Sequence, residues 1–116
     1  MRMWMVDPKI MCRKHLLGEH VEHHMFVGTI SRRISIDGYI GGNLLEPTQL
    51  LIRHYHLAEE MLRRGYQHKS ELLEVDLSHL GEKQLLTVVD RESSLTELLR
   101  RCPDCQARHN SLTAGG

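Results

Sequence analysis

The sequence predicts a small, single-domain, all-α protein of about three helices joined by long loops. Three observations carry this. Apolar residues recur at helical spacing in two stretches, from Lys9 to about Val27 and from Pro47 to Gly65. Cap and stop signals bracket the helices: Asp7-Pro8 before the first, Gly65 after the second and Pro103 after a third. No two alternating stretches could pair as strands. LLEVDLSHL, residues 72–80, alternates briefly but has no partner.

Taken in order, Asp7 is a cap and Pro8 the first helical position. Ile10, Leu17, Val21 and Met25, with Gly28 beyond, recur at spacings that predict the buried stripe of the first helix. Gly18 allows a bend or a close approach by another segment. ISIDGYIGGNLLE, residues 34–46, holds Asp37-Gly38 and Gly41-Gly42-Asn43, which is turn chemistry. The second helix opens at Pro47, presents Leu50, Leu51, His54, Leu57, Ala58, Met61 and Leu62 to the core, and ends at Gly65 as a C-cap. Residues 66–92 read as irregular. Ser93 or Ser94 caps a third helix over roughly 95–101, which Pro103 stops. The domain is expected to span residues 1–110, with 111–116 a disordered tail.

A chain of 116 residues can bury a modest core, and 41% hydrophobic with 26% charged residues is a globular balance. There is no apolar run of spanning length and no signal-peptide pattern, so a cytoplasmic protein that does not enter membranes is expected; a monomer is expected as well. Three cysteines do not make a secreted disulfide framework. Formal net charge is zero, which excludes a strongly basic nucleic-acid binder. Residues 1–69 nevertheless carry ten Lys/Arg against seven Asp/Glu, while residues 70–116 carry five against eight. A local basic face can bind phosphate when the total cancels.

KHLLGEHVEHH, residues 14–24, is the densest motif. His20 and His24, four apart, share a helix face as zinc ligands often do, with His54 or His68 as a distant third. The motif lacks HExxH, and the reading preferred here is of histidines bonded to carboxylates or phosphate. CPDC, residues 102–105, with His109 following, offers at most three ligands, and a single CxxC more often marks two ordinary cysteines. His15, Glu19, Glu22 and Phe26 follow one helix face. Arg63, Arg64 and Lys69 suit the second helix's C-terminus and would equally suit phosphates.

KHLLGEHVEHHMFVGTI and RHYHLAEEMLRRGYQHK together resemble segments of the pyrimidine-dimer DNA glycosylases of the bacteriophage endonuclease V type. The resemblance covers residues 1–33 and 53–69. It implies a compact all-α domain with glycosylase and abasic-site lyase activity, in a phage or bacterial setting. By the same resemblance the nucleophile is the α-amine of Met1, followed by Arg2 on a phosphate, with Glu22 as the helix glutamate. Retention of Met1 is expected, because initiator methionine is removed mainly before small residues and Arg2 is large. An α-amine titrates at roughly 7.7–8.0, so a useful fraction is neutral near pH 7. No metal or organic cofactor is needed. Val21, His23, His24 and Met25 stand where the phage enzyme carries arginines near its glutamate. CPDCQARHNSLTAGG replaces its aromatic, basic tail.

The resulting expectation is an enzyme that acts on double-stranded DNA at a damaged or modified pyrimidine. Met1 and Glu22 are the catalytic pair, and Arg2, His20, His24, Arg63, Arg64 and Lys69 the DNA contacts. Two other classes remain open: a non-catalytic DNA-binding protein on the same scaffold, and a metal-dependent nuclease or hydrolase built on the histidines.

Overall fold

A computed structural model describes residues 1–68, 70–72 and 74–114 of the chain. A 3-10 turn, Pro8–Ile10, is capped by Asp7, whose carboxylate accepts from the Lys9 amide at 3.0 Å. The helices are α1 (Arg13–Ser31), α2 (Asp37–Gly41), α3 (Leu50–Arg63), α4 (Glu82–Leu85), α5 (Arg91–Arg101) and α6 (Pro103–Ala114). A second 3-10 turn, Pro47–Gln49, leads into α3. There is no strand among the described residues, as expected. No helix among them is long and apolar enough to cross a membrane.

Six helices rather than about three are present among the described residues, and the differences have physical reasons. The first helix is broken at Met11–Cys12 and then runs to Ser31. The expected turn at Asp37-Gly38 is a single helical turn, closed by Asn43 at φ 54. The cap of α5 is Asp90, which accepts from the Ser93 amide at 2.9 Å, while Ser94 is buried. Pro103 ends α5 and also starts α6, because a proline at the first helical position loses no hydrogen bond. That helix continues through Ala114, so the disordered tail expected from residue 111 is helical as far as the described residues extend. Gly65, at φ 81, closes α3 as expected: the Tyr66 amide reaches back to the Met61 carbonyl at 2.8 Å.

The expected buried stripe of α1 is wrong in phase. Val21 and Met25 are 55% and 50% exposed. The buried face is Leu16, Glu19, His20, His23, Phe26 and Ile30. Half of that face is polar, so apolar periodicity pointed to the wrong side. On α3, Leu51 and Leu62 are likewise exposed, and Arg53 and Glu60 are buried in their place.

The polar interior is paired. The Arg53 guanidinium grips Glu19 through both of its carboxylate oxygens, at 2.7 and 2.9 Å. His23 bridges Glu19 at 3.0 Å and the Leu50 carbonyl at 3.1 Å. A buried charge is tolerated only when partnered in this way. Burial alone would raise the Glu19 carboxyl, but hydrogen bonds from Arg53 and His23 outweigh it and hold the group down at about 2. Two apolar clusters meet around this network. One gathers Leu16, Leu57, Met61 and Leu98, and the other Phe26, Ile30, Ile40 and Leu50.

Candidate active site

The first six residues carry no regular structure, yet they run through the interior. Met3, Trp4 and Val6 are buried, with Met3 in one apolar cluster and Trp4 and Val6 in the other. Chain termini usually fray unless tied down. This one is tied at five backbone groups. The Arg2 amide donates to Glu22 Oε2 at 3.2 Å, the Met3 amide to the Leu44 carbonyl at 2.8 Å, and the Trp4 amide to Glu19 Oε1 at 3.1 Å. The Trp4 carbonyl accepts from the Ser94 hydroxyl, and the Val6 carbonyl from Arg53 at 2.6 Å.

Three elements therefore place the terminus. α1 contributes Glu19 and Glu22, which are one turn apart. Glu19 is consumed by the interior network, and Glu22 is left half-buried beside residues 1–2. α5 contributes Ser94, and α3 contributes Arg53. Met1 itself is half-buried and packs against the second apolar cluster.

The Arg2 side chain lies over the Trp4 ring, 3.9 Å from its centroid, and donates to Ser94 Oγ at 2.9 Å. It borders a groove of about 410 Å³ that runs past Asn43, Asp90, Ser93 and Glu97. The other residues expected to bind DNA fare differently. Arg63 is exposed and pairs with Glu60. Arg64 is held inside: it pairs with Glu60 at 2.7 Å and donates to the Pro8 and Met11 carbonyls at 3.0 and 2.8 Å. Lys69 lies outside the described residues.

His20 and His24 face neither Glu22 nor open solvent. Their rings meet those of His54 and His68, with centroids 4.5 to 5.3 Å apart. One nitrogen each of His20, His54 and His68 lies within 4.8 Å of the others, so both histidines considered as a third ligand arrive, while His24 of the expected pair is not in the set. Burial, followed by repulsion from His68, His24 and His23, pushes His20 down to about 4. Burial and the same kind of crowding take His54 to about 3. Neither is a cation at neutral pH, so neither suits a phosphate as a charge partner.

A second cluster was not foreseen. Cys12 and His15 of the α1 start meet Cys102 and Cys105 of the α6 start, with one ligand atom of each inside 4.8 Å. His109, which was considered with CPDC, is not among them; it lines a separate cavity with Met5 and Leu112. The signal was in the sequence as two x2 spacings, Cys12-x2-His15 and Cys102-x2-Cys105. Burial pushes the Cys105 thiol up to about 12. The Glu19–Arg53 pair and Ser94 were missed as well. Only contacts between distant parts of the chain give those residues a part in holding the terminus.

A family model described as pyrimidine dimer DNA glycosylase matches residues 1–74. No curated protein and no solved structure matches the chain.

Proposed function

Because the chain belongs to the pyrimidine dimer DNA glycosylase family, a family of DNA repair enzymes, we propose that it removes a damaged or modified pyrimidine from duplex DNA and then cleaves the strand, with the α-amine of Met1 as nucleophile. One observation carries the reading. The Glu22 carboxylate accepts the Arg2 amide at 3.2 Å, and so stands one residue from that amine on a terminus fixed at five backbone groups.

The chemistry follows from the groups present. The neutral amine's lone pair forms a bond to sugar C1′ as the glycosidic C1′–N bond breaks, and the base leaves with a proton. The amine gives up one proton to the departing base, and the C1′–O4′ bond opens with a proton taken up from water on O4′, which gives an iminium. Glu22 stabilises the positive charge that develops at C1′. It then accepts the C2′ proton, and the 3′ phosphate leaves by elimination. Arg2, steered by Trp4 and Ser94, binds a phosphate of the target strand. A damaged base is less costly to unstack than a normal one, which contributes selectivity before any contact with the base is made. We place the exposed phosphate contact of α3 on Arg63 and give Arg64 to the fold.

The convergence of His20, His54 and His68 favours one other reading, metal-dependent hydrolysis at the histidine cluster. The ends of the cleaved strand separate the two. Elimination leaves an unsaturated aldehyde at the 3′ end of the upstream fragment, and a 5′ phosphate on the downstream one, whereas hydrolysis leaves a 3′ hydroxyl on the upstream fragment. Mass spectrometry of the products from a duplex with a single abasic site reads this directly. An unsaturated aldehyde is expected, and a 3′ hydroxyl rejects the amine mechanism.

A further inference from the structure

We propose that Cys12, His15, Cys102 and Cys105 form a tetrahedral zinc site that fastens the C-terminal helix pair to the start of α1. This site is separate from the amine of Met1 and from Glu22.

The two pairs are built alike. Cys12 is the N-cap of α1 and His15 its third residue. Cys102 directly precedes α6, and Cys105 is the third residue of that helix. Two helix N-termini thus come together, each presenting a cap side chain and a side chain one turn in. All three cysteines are free and buried.

All six ligand-to-ligand spacings lie within 4.8 Å, and three of them are close to the edges of a tetrahedron. Zn–S bonds of about 2.3 Å and Zn–N bonds of about 2.0–2.1 Å set ligand-to-ligand edges of about 3.8 Å between sulfurs and about 3.5 Å between sulfur and nitrogen. Cys12 Sγ lies 3.8 Å from Cys102 Sγ. His15 Nδ1 lies 3.2 Å from Cys12 Sγ and 3.7 Å from Cys105 Sγ. A disulfide needs sulfurs about 2.0 Å apart, and it would leave one thiol and the imidazole without a role.

Charge also fits. On binding, the three thiols release three protons to water, and His15 coordinates as the neutral ring with its proton on Nε2. The site then carries one net negative charge. Two helix N-termini favour that charge. The Cys12 amide donates to Cys105 Sγ at 3.2 Å and the Cys105 amide to Cys102 Sγ at 3.4 Å, the outer hydrogen bonds that metal thiolates use.

The consequence is a brace. Residues 1–74, which match the family, contribute Cys12 and His15, and the remainder of the chain contributes Cys102 and Cys105. His15 packs edge-on against Trp4, whose ring carries Arg2, so the brace backs directly onto the segment that holds the terminus.

The test uses the whole chain without a histidine tag, kept reduced and loaded with cobalt(II). The expected result is an intense thiolate-to-cobalt charge-transfer band with strong visible bands of tetrahedral cobalt, both lost when one equivalent of zinc is added. A histidine-only site gives no thiolate band, so binding at His20, His54 and His68 is told apart. Cys105→Ser should lose the band, and His15→Cys should keep tetrahedral cobalt with a stronger one. The wild-type protein decides, so the test holds even where Cys105→Ser fails to fold. A folded, reduced wild type with no thiolate–cobalt band overturns the proposal, as does a Cys12–Cys102 disulfide in protein prepared under reducing conditions.

Discussion

The backbone amide of Arg2 and the carboxylate of Glu22, twenty positions apart in the chain, are joined by a 3.2 Å hydrogen bond. That contact fixes where a carboxylate can act relative to the amine of residue 1. Replacing Glu22 with Gln keeps the shape and an oxygen acceptor but removes the charge and the base. Single-turnover strand cleavage on an abasic duplex should fall by about 10²–10⁴-fold, while DNA affinity measured by anisotropy stays near wild type. Cleavage at the wild-type rate would deny Glu22 a catalytic part.

Glu19 has a different task. It is buried and held by Arg53 and His23, and it anchors the Trp4 amide. Arg53→Met leaves a buried carboxylate without its main partner, which should cost about 3–5 kcal/mol in urea unfolding. A loss well under 1 kcal/mol would mean the pair contributes little.

The same carboxylate sets an acid limit. Its folded pKa, about 2, lies below its ordinary 4.5. A depressed carboxyl binds fewer protons in the folded state than in the unfolded one. Its contribution is therefore complete above pH 4.5 and is lost as pH falls from there through about 2. Unfolding free energy measured across that range should decline in the wild type and decline less steeply in Glu19→Gln. Parallel curves would locate the acid sensitivity elsewhere.

Neighbouring arginines on α3 should part company. Arg63 is exposed, so Arg63→Ala should reduce the salt slope of DNA binding by about one unit while leaving stability intact. Arg64 satisfies buried Glu60 and the Pro8 and Met11 carbonyls, so Arg64→Ala should cost about 1.5–3 kcal/mol of stability. If Arg64 changes the salt slope and Arg63 does not, the assignment is reversed.

The phase of α1 can be checked without any activity. Val21→Lys, at a position 55% exposed, should change stability by no more than about 0.5 kcal/mol. Leu16→Ala, at a fully buried position, should cost about 2–5 kcal/mol. Equal costs would restore the apolar stripe as the buried face.

Cap chemistry was readable because it is local: Asp7-Pro8 and Gly65 needed no knowledge of the rest of the chain. The nearness of the Arg2 amide to Glu22 was readable because resemblance supplied the spacing between residues 1 and 22. The buried face of α1 was not, since Glu19, His20 and His23 look like a solvated face until Arg53 arrives from 34 residues away. Pro103 misled because proline both stops and starts helices. The cysteine cluster was half visible. CPDC drew attention, but Cys12 and His15 lie about 90 positions from it, and only the folded chain joins the two x2 pairs.

In the proposed reaction the amine of Met1 attacks the sugar. Borohydride reduces the imine that such an attack forms and locks enzyme to DNA, so the decisive measurement is reductive trapping on abasic-site duplex followed by peptide mapping. A single adduct on the α-nitrogen of Met1 is expected, absent when that amine is acetylated. No adduct, or one on an internal lysine, contradicts it.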